Sequence, residues 1–341
     1  MSTYWSEIPT DLLYSILSKL SIADLFRCAA VCSRWFAVVD KVRRGPGDQR
    51  PQIPWLVPEN RSLINGEDND QNTYNFFSLS EGRAYEIPSH APLVCGNIVG
   101  SSHGWLIATN DVRIQLQNPI TGVQIDLPSI PTLDDRNLMA MKAVLSSDPF
   151  RSGHFSVVFV FFCSSMRKDF LFFVSAGDEK WTMIPTTLYY FDDIAFHNGK
   201  LYAVSQSKED NAVIVAAYDL TEPDSTQRGM LVMPLSDIWD FTSNLYFFCM
   251  PSGDLLIGRA TAMNKVSEHH IKKLEVWKVD IEKGAFIAMN NLGNMEDESF
   301  TSLSLPSMSF PGQRRPVLVW FTPSSRACRS NLDFNFSRDA G

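Results

Sequence analysis

A glycine turn, a short run of strand-forming residues and a terminal proline recur along this chain. Tyr85-Glu-Ile-Pro88 follows Gly82, and Gln124-Ile-Asp-Leu-Pro128 follows Gly122, with six residues from Gly to Pro in both and 40 residues between the copies. Thr182-Met-Ile-Pro185 and Leu231-Val-Met-Pro234 continue the series at intervals of 57 and 49 residues, and Ile287-Ala-Met289 stands where a fifth copy is due, without its Pro. Glycine permits the positive φ of a tight turn, and proline, lacking an N–H, ends a strand or sits on a sheet edge. A period of about 40–50 residues built from short strands is what a four-stranded propeller blade needs. Further turn signals at Asn198-Gly199, Ser252-Gly253-Asp254 and Lys283-Gly284 agree, and no sustained helical period interrupts them. The repeat predicts a mainly β fold, a β-propeller of five to seven blades over residues 59–341. A β-sandwich with irregular loops gives similar spacing and is the alternative.

The longest apolar run, Phe155 to Cys163, is far shorter than the roughly 20 residues of a membrane-spanning helix, and reads as a buried strand. With 45% hydrophobic and 20% charged residues in 341, the composition is that of a folded protein. The net charge of −8 argues against nucleic acid as a partner, because no basic field meets the phosphates. Residues 1–50 nevertheless carry seven Lys/Arg against five Asp/Glu, and the remainder 23 against 33. Cys28, Cys32, Cys95, Cys163, Cys249 and Cys328 form no C-x-x-C pair, and the N-terminus lacks a signal-peptide pattern. These features predict reduced thiols, no membrane association, and a cytoplasmic and/or nuclear location.

The first 44 residues follow a different period. In WSEIPTDLLYSILSKL (5–20), Leu12, Leu13, Ile16, Leu17 and Leu20 spread over an apolar arc of about 140°, wider than the ~100° stripe needed for one core contact. Ser21-Ile-Ala-Asp24 is a helix-start pattern, and Leu25, Cys28, Ala29 and Cys32 follow at spacings of three and four. With no His or further Cys nearby, Cys28 and Cys32 read as packing thiols rather than metal ligands. A third helix around Ser33–Arg44 presents Trp35, Phe36 and Val39 before Gly45-Pro46-Gly47 stops it. The predicted organisation is a helical domain at 1–44, a Pro/Gly-rich linker at 45–58 and the β body at 59–341. Lys41, Arg43, Arg44 and Arg50 read as a solvated face. So small a helical unit buries little surface, and its excess apolar arc predicts a partner; a helical cap packed on the β body is the plainer reading.

Ile8-Pro9, Leu12, Ile16, Leu20, Asp24, Val31-Cys32 and Trp35 resemble the F-box, with Ile8 in place of the usual Leu before Pro. Gly104-Trp105-Leu106, Asn118-Pro-Ile-Thr-Gly122, Gly177-Asp178 with Trp181, Asp193-Ile-Ala-Phe196, Gly199-Lys-Leu-Tyr-Ala203 and Gly253-Asp-Leu-Leu256 resemble plant F-box proteins carrying a kelch-like, KIB-type domain. The likeness fades from Leu292-Gly293-Asn294 and ends after Val317-Leu-Val-Trp-Phe321. It implies a substrate-recognition subunit of a Skp–cullin–F-box ubiquitin ligase, not itself an enzyme. The adaptor would meet Ile8, Pro9, Leu12, Leu13, Ile16, Leu17, Leu20 and Trp35, and the β body would bind a target protein for ubiquitination. A scaffold or inhibitor that binds partners without promoting ubiquitination is the alternative.

No phosphate-binding, nucleophile-elbow or zinc-protease motif is found, so no catalytic residue, cofactor or metal is expected. His269 and His270, as strand neighbours, point to opposite faces and read as loop or edge residues. Asp68-Asn-Asp70-Gln-Asn72 imitates a calcium loop but has Thr73 and Leu79 where Gly and Glu belong. Phe159, Phe161, Phe162, Phe170, Phe172, Phe173, Phe247 and Phe248 lack interleaved Lys/Arg and read as core rather than a base-stacking platform.

Overall fold

A computed structural model describes residues 7–20, 22–44, 55–57, 73–78, 82–88, 97–110, 113–133, 138–207, 212–221, 227–234, 243–250, 253–264, 267–280, 283–289 and 319–321. The acidic loop around Asp68, together with Cys95 and Cys328, lies outside them. Three helices come first: α1 (Thr10–Leu17), α2 (Ile22–Ala29) and α3 (Ser33–Arg44). Helix α1 starts directly after Pro9, whose carbonyl accepts the N–H of Leu13 at 3.0 Å, and it closes at Ser18, whose N–H returns to Tyr14 O at 2.8 Å. Leu13 and Leu17 meet Leu25 and Ala29 of α2 and Val38, Val39 and Val42 of α3 in a core of the head's own.

Among the described residues after the head, strands predominate. The strands are β1 (Trp55–Val57), β2 (Thr73–Ser78), β3 (Arg83–Pro88), β4 (Asn97–Ser102), β5 (Trp105–Thr109), β6 (Ile114–Gln117), β7 (Gln124–Leu127), β8 (Leu138–Leu145), β9 (Ser156–Cys163), β10 (Lys168–Ser175), β11 (Thr182–Ile184), β12 (Asp193–His197), β13 (Lys200–Ser207), β14 (Ala212–Tyr218), β15 (Gln227–Pro234), β16 (Ser243–Cys249), β17 (Leu255–Asn264), β18 (Ser267–Asp280), β19 (Ala285–Ala288) and β20 (Val319–Phe321), with a one-turn helix α4 (Pro149–Ser152) after β8. They form antiparallel four-stranded sheets in the orders β20-β1-β2-β3, β4-β5-β6-β7, β8-β9-β10-β11, β12-β13-β14-β15 and β16-β17-β18-β19. The segment that recurs in the sequence is the last strand of a sheet every time: β3, β7, β11, β15 and β19. Its proline is tolerated there because an outer strand has one edge with no neighbour to receive an N–H.

Two compact units divide the chain, one of residues 1–127 with 316–341 and one of 128–315. The first holds the helical head and two of the sheets; the second holds three. Where five to seven blades are expected over one body, the described residues hold five four-stranded sheets, two in the first unit and three in the second, and no further four-stranded sheet is seen among them. In the first unit β20 pairs with β1, Trp320 opposite Leu56, so residues from the C-terminal end supply the first strand of the first sheet. Local chemistry builds the turns. Asn118 accepts the N–H groups of Ile120 and Thr121 on its side-chain oxygen, at 3.1 and 3.0 Å, and Gly122 at φ 69° then turns the chain into β7.

In the second unit three sheets pack face to face in series, which is not a two-sheet sandwich. Strand alternation explains how. On β13, Leu201 and Ala203 pack with Val158, Val160 and Leu171 of the sheet before, while Tyr202 and Val204 pack with Leu245, Leu255 and Ile257 of the sheet after. A central strand buried on both faces reads as one apolar run, and the run from Phe155 is largely β9, buried throughout its middle. Trp181 fills the end of that sheet: its indole N–H donates to Pro128 O at 3.1 Å, and its ring meets Phe159 and Phe161 edge-on at 5.2 and 6.0 Å. Of the eight phenylalanines read as core, Phe159, Phe161, Phe170 and Phe172 are buried, whereas Phe248 is exposed. His269 and His270 lie within β18, where its register with β17 shifts between Ala262 and Asn264, so they belong to a strand rather than a loop.

The first strands of these three sheets meet at Asp193, which is 4% exposed. One carboxylate oxygen faces the Lys142 ammonium of β8 and accepts the N–H of Ile194; the other accepts the N–H of Phe247 in β16 at 2.8 Å. Asp193→Ala leaves that amide and the ammonium without their acceptor. The expected cost is about 3 kcal/mol, read as a lower urea midpoint at unchanged slope. A midpoint equal to that of the unaltered protein would show that the clamp does not hold the sheets.

Candidate functional site

The broad apolar arc of α1 divides in the structure. Leu13 and Leu17, at 1% and 0% exposure, point into the head, whereas Leu12 and Ile16, at 59% and 48%, point out. Residues expected to share one adaptor contact therefore separate. Leu13 and Leu17 are closed off by Val38, Val39 and Val42 and serve the fold, which removes them from any surface. Ile8, Leu20 and Trp35 are half-buried against the same core, and Pro9 is exposed at the start of α1. Val31 and Phe36 are exposed as well.

Polar contacts fix this face. Arg34 of α3 donates to Ile8 O at 2.7 Å and to Thr10 Oγ1 at 3.4 Å, which holds the Ile8-Pro9 entry against the third helix. Arg27 pairs with Asp24 one turn away and donates to the Tyr85 hydroxyl at 3.3 Å, its guanidinium lying 5.5 Å from the centre of that ring. The head thus meets the outer strand of the first sheet. Cys28 and Cys32 are half-buried free thiols, and burial, with the charge of Asp24 adding to it, pushes the Cys28 thiol up. A raised thiol is a poor metal ligand and a poor nucleophile.

In the second unit the polar residues concentrate where β12 begins. Burial pushes Asp192 up to about 6, against two hydrogen bonds from Gln206, with the negative charges of Asp193 and Asp169 adding to it. Asp169 is raised by burial too, opposed by the N–H of Phe191. Tyr246 and Cys249 are raised by burial and then by Asp193, and His197 is lowered by burial. Among the described residues no three His, Cys, Asp or Glu side chains gather to hold a metal ion. No helix among the described residues is long and apolar enough to cross a membrane.

The loop leading into β12 also carries Tyr189 and Tyr190, both exposed. Sequence periodicity passes over them because a loop has no face. The exposure is set by long-range hydrogen bonds: Tyr190 Oη donates to Arg167 O at 2.6 Å and the Asp169 N–H to Tyr189 O at 2.8 Å.

The raised Asp192 has a consequence for stability. Between about pH 4, the ordinary aspartate value, and about pH 6, the folded protein holds a proton that the unfolded chain has lost, so this group's contribution is fully present below that window and declines as pH rises through it. Tm of the unaltered protein should therefore fall more steeply across that range than Tm of Asp192→Asn, measured by calorimetry at matched ionic strength. Parallel slopes would contradict the assignment.

Comparison with known proteins places these two parts. An F-box-like family model matches residues 5–43, and the KIB1-4 beta-propeller model matches residues 76–330. Among curated relatives, an F-box/kelch-repeat protein of Arabidopsis thaliana is 24% identical over 85% of this chain and 75% of its own length. A second F-box/kelch-repeat protein of that plant is 22% identical over 92% of this chain and 78% of its own. A putative F-box protein of the same plant is 26% identical over 59% of this chain and 52% of its own, so the match spans about half of that relative. The family model covers most of the chain and the sheets have the form it requires: this is a plant-type F-box protein, a member of the KIB1-4 β-propeller family.

Proposed function

We propose that this protein is a substrate-recognition subunit of a Skp–cullin–F-box ubiquitin ligase, its head docking the Skp-type adaptor and, through it, the cullin, while the β body selects the target. The observation that carries the reading is Leu12 and Ile16, two large apolar side chains standing in solvent one turn apart on α1 beside Pro9, while their neighbours Leu13 and Leu17 complete the core. Apolar side chains so arranged are anchors for a partner. In this reading the contact set is Ile8, Pro9, Leu12, Ile16, Leu20 and Trp35. The head is residues 1–44, the linker 45–58 and the target-binding body 59–341, and the protein works in the cytoplasm and/or nucleus without an active site of its own. It accelerates ubiquitin transfer by holding a target lysine near a charged E2, which raises local concentration without new chemistry.

Two experiments test this. Leu12→Asp or Ile16→Asp places an unpaired charge in the contact and should reduce adaptor co-purification by at least tenfold, roughly the 1.4 kcal/mol that loss of one anchor exceeds. Because both side chains are exposed, the variants should fold with unchanged circular dichroism; undiminished adaptor binding by both sinks the assignment. In the second, overexpressed full chain should shorten the half-life of its target in a cycloheximide chase, and a chain lacking residues 1–44 should lengthen it. Equal half-lives with target binding confirmed would favour a scaffold that binds without promoting ubiquitination.

A further inference from the structure

We propose that the paired loops 164–167 and 185–192 of the second unit form the docking surface for an extended acidic segment of a partner protein, an inference that rests on the receptor reading and names the surface it would use. Tyr189 and Tyr190 are 66% and 51% exposed, and Met166 beside them 44%. Two cations, Arg167 and Lys168, follow Met166 in the chain. Lys168 Nζ lies 4.9 Å from the centre of the Tyr189 ring and 5.5 Å from that of Phe170, and Arg167, held at φ 52°, gives its carbonyl to the Tyr190 hydroxyl. Neither Arg167 nor Lys168 makes an ion pair among the described residues.

The nearby carboxylates are turned away. Asp169 is buried and accepts the N–H of Phe191; Asp192 is half-buried and accepts from the Gln206 backbone and side chain at 2.9 and 3.0 Å. Two uncompensated cations flanked by exposed aromatics, on a chain of net charge −8, make a local basic spot in an acidic protein. Its complement is a short acidic stretch with an apolar residue to lie on the rings. A nucleic acid fits less well, since a long polyanion meets the negative charge of the rest of the chain.

The surface is also pre-organised. Thr186 Oγ1 bonds the Tyr218 hydroxyl at 2.8 Å and accepts the N–H of Leu188 at 3.1 Å, Leu188 is buried in the core, and Asp169 fixes Phe191. Thr186, Leu188 and Phe191 are tied down while the tyrosines are presented, so little conformational freedom is lost on binding.

The test uses the full chain and fluorescein-labelled 14-residue peptides in fluorescence anisotropy: a Glu-rich sequence with two Leu, the same sequence with Gln for every Glu, the same with Lys for every Glu, and a 14-nucleotide oligouridylate. The Glu peptide should bind at least about tenfold more tightly than the Gln peptide near 50 mM salt, and weaken as salt rises. Tyr189→Ala and Lys168→Glu should each reduce its binding about tenfold or more, and Arg167→Glu with Lys168→Glu should transfer preference to the Lys peptide. Equal binding of Glu and Gln peptides, indifference to these surface substitutions, or tighter binding of oligouridylate overturns the proposal. Adaptor co-purification is measured in parallel on the same chains. Peptide binding with no adaptor binding counts against the receptor reading alone; adaptor binding with no peptide discrimination counts against the docking surface alone.

Discussion

Asp193 stands at the start of β12 with the ammonium of Lys142 in β8 on one side and the amide of Phe247 in β16 on the other. Each of those strands is the first of its sheet and has hydrogen-bonding neighbours on one edge only. Sheets stacked face to face satisfy their side chains readily but leave the free edges of their first strands with N–H and C=O groups to pair. A carboxylate placed there is an acceptor that does not need a neighbouring strand. The Cys249 thiol, donating to Phe196 O at 3.5 Å, joins β16 to β12 a second time. The apolar layers between sheets, non-directional as they are, leave the mutual register of the sheets undetermined; the directional bonds of Asp193 supply it.

That clamp has an electrostatic consequence one residue earlier. Asp193 has a lysine; Asp192, buried beside it, has only the neutral donors of Gln206 and feels the negative charge of Asp193. Burial is the main reason Asp192 holds its proton to higher pH, and the negative charges of Asp193 and Asp169 add to it. The loop that presents Tyr189 and Tyr190 runs straight into this pair. Its far end is fixed by the Asp193 clamp, its middle by Asp169 and its near end by Thr186. The surface proposed to meet a partner is therefore ordered by the same polar contacts that join the sheets.

Much of this was legible in the sequence where local chemistry decides. Gly82, Gly122 and the prolines at 88, 128, 185 and 234 mark outer strands because positive φ and a missing N–H are properties of single residues. The width of the α1 arc likewise announced that one core would not cover all of it, and Leu12 and Ile16 are left exposed. Which side chains enter the core was not legible. Leu12 and Leu13 lie 100° apart on one arc, and the choice between them is made by Val38, Val39 and Val42 of α3, which the helix period of α1 cannot contain. Phe248 read as core because it follows Phe247 in an apolar run, yet β16 is a first strand with a free edge, and an apolar run there does not guarantee burial on both faces. Tyr189 and Tyr190 gave no signal because hydrogen bonds to Asp169 and Arg167, about 20 residues away, hold them in place.

The head and the first sheet are coupled through a contact of a different scale. Among the described residues, Arg27 reaches Tyr85 by one hydrogen bond and by lying over its ring, while it also holds Asp24 on its own helix. A neutral-acceptor hydrogen bond with a partly exposed cation–π contact contributes about 1–2 kcal/mol, and it joins α2 to β3. The core of the head, with seven buried apolar side chains, is the head's own. Leu12 and Ile16, the proposed adaptor contact, therefore stand on a face whose internal geometry is fixed by packing that the first sheet does not supply.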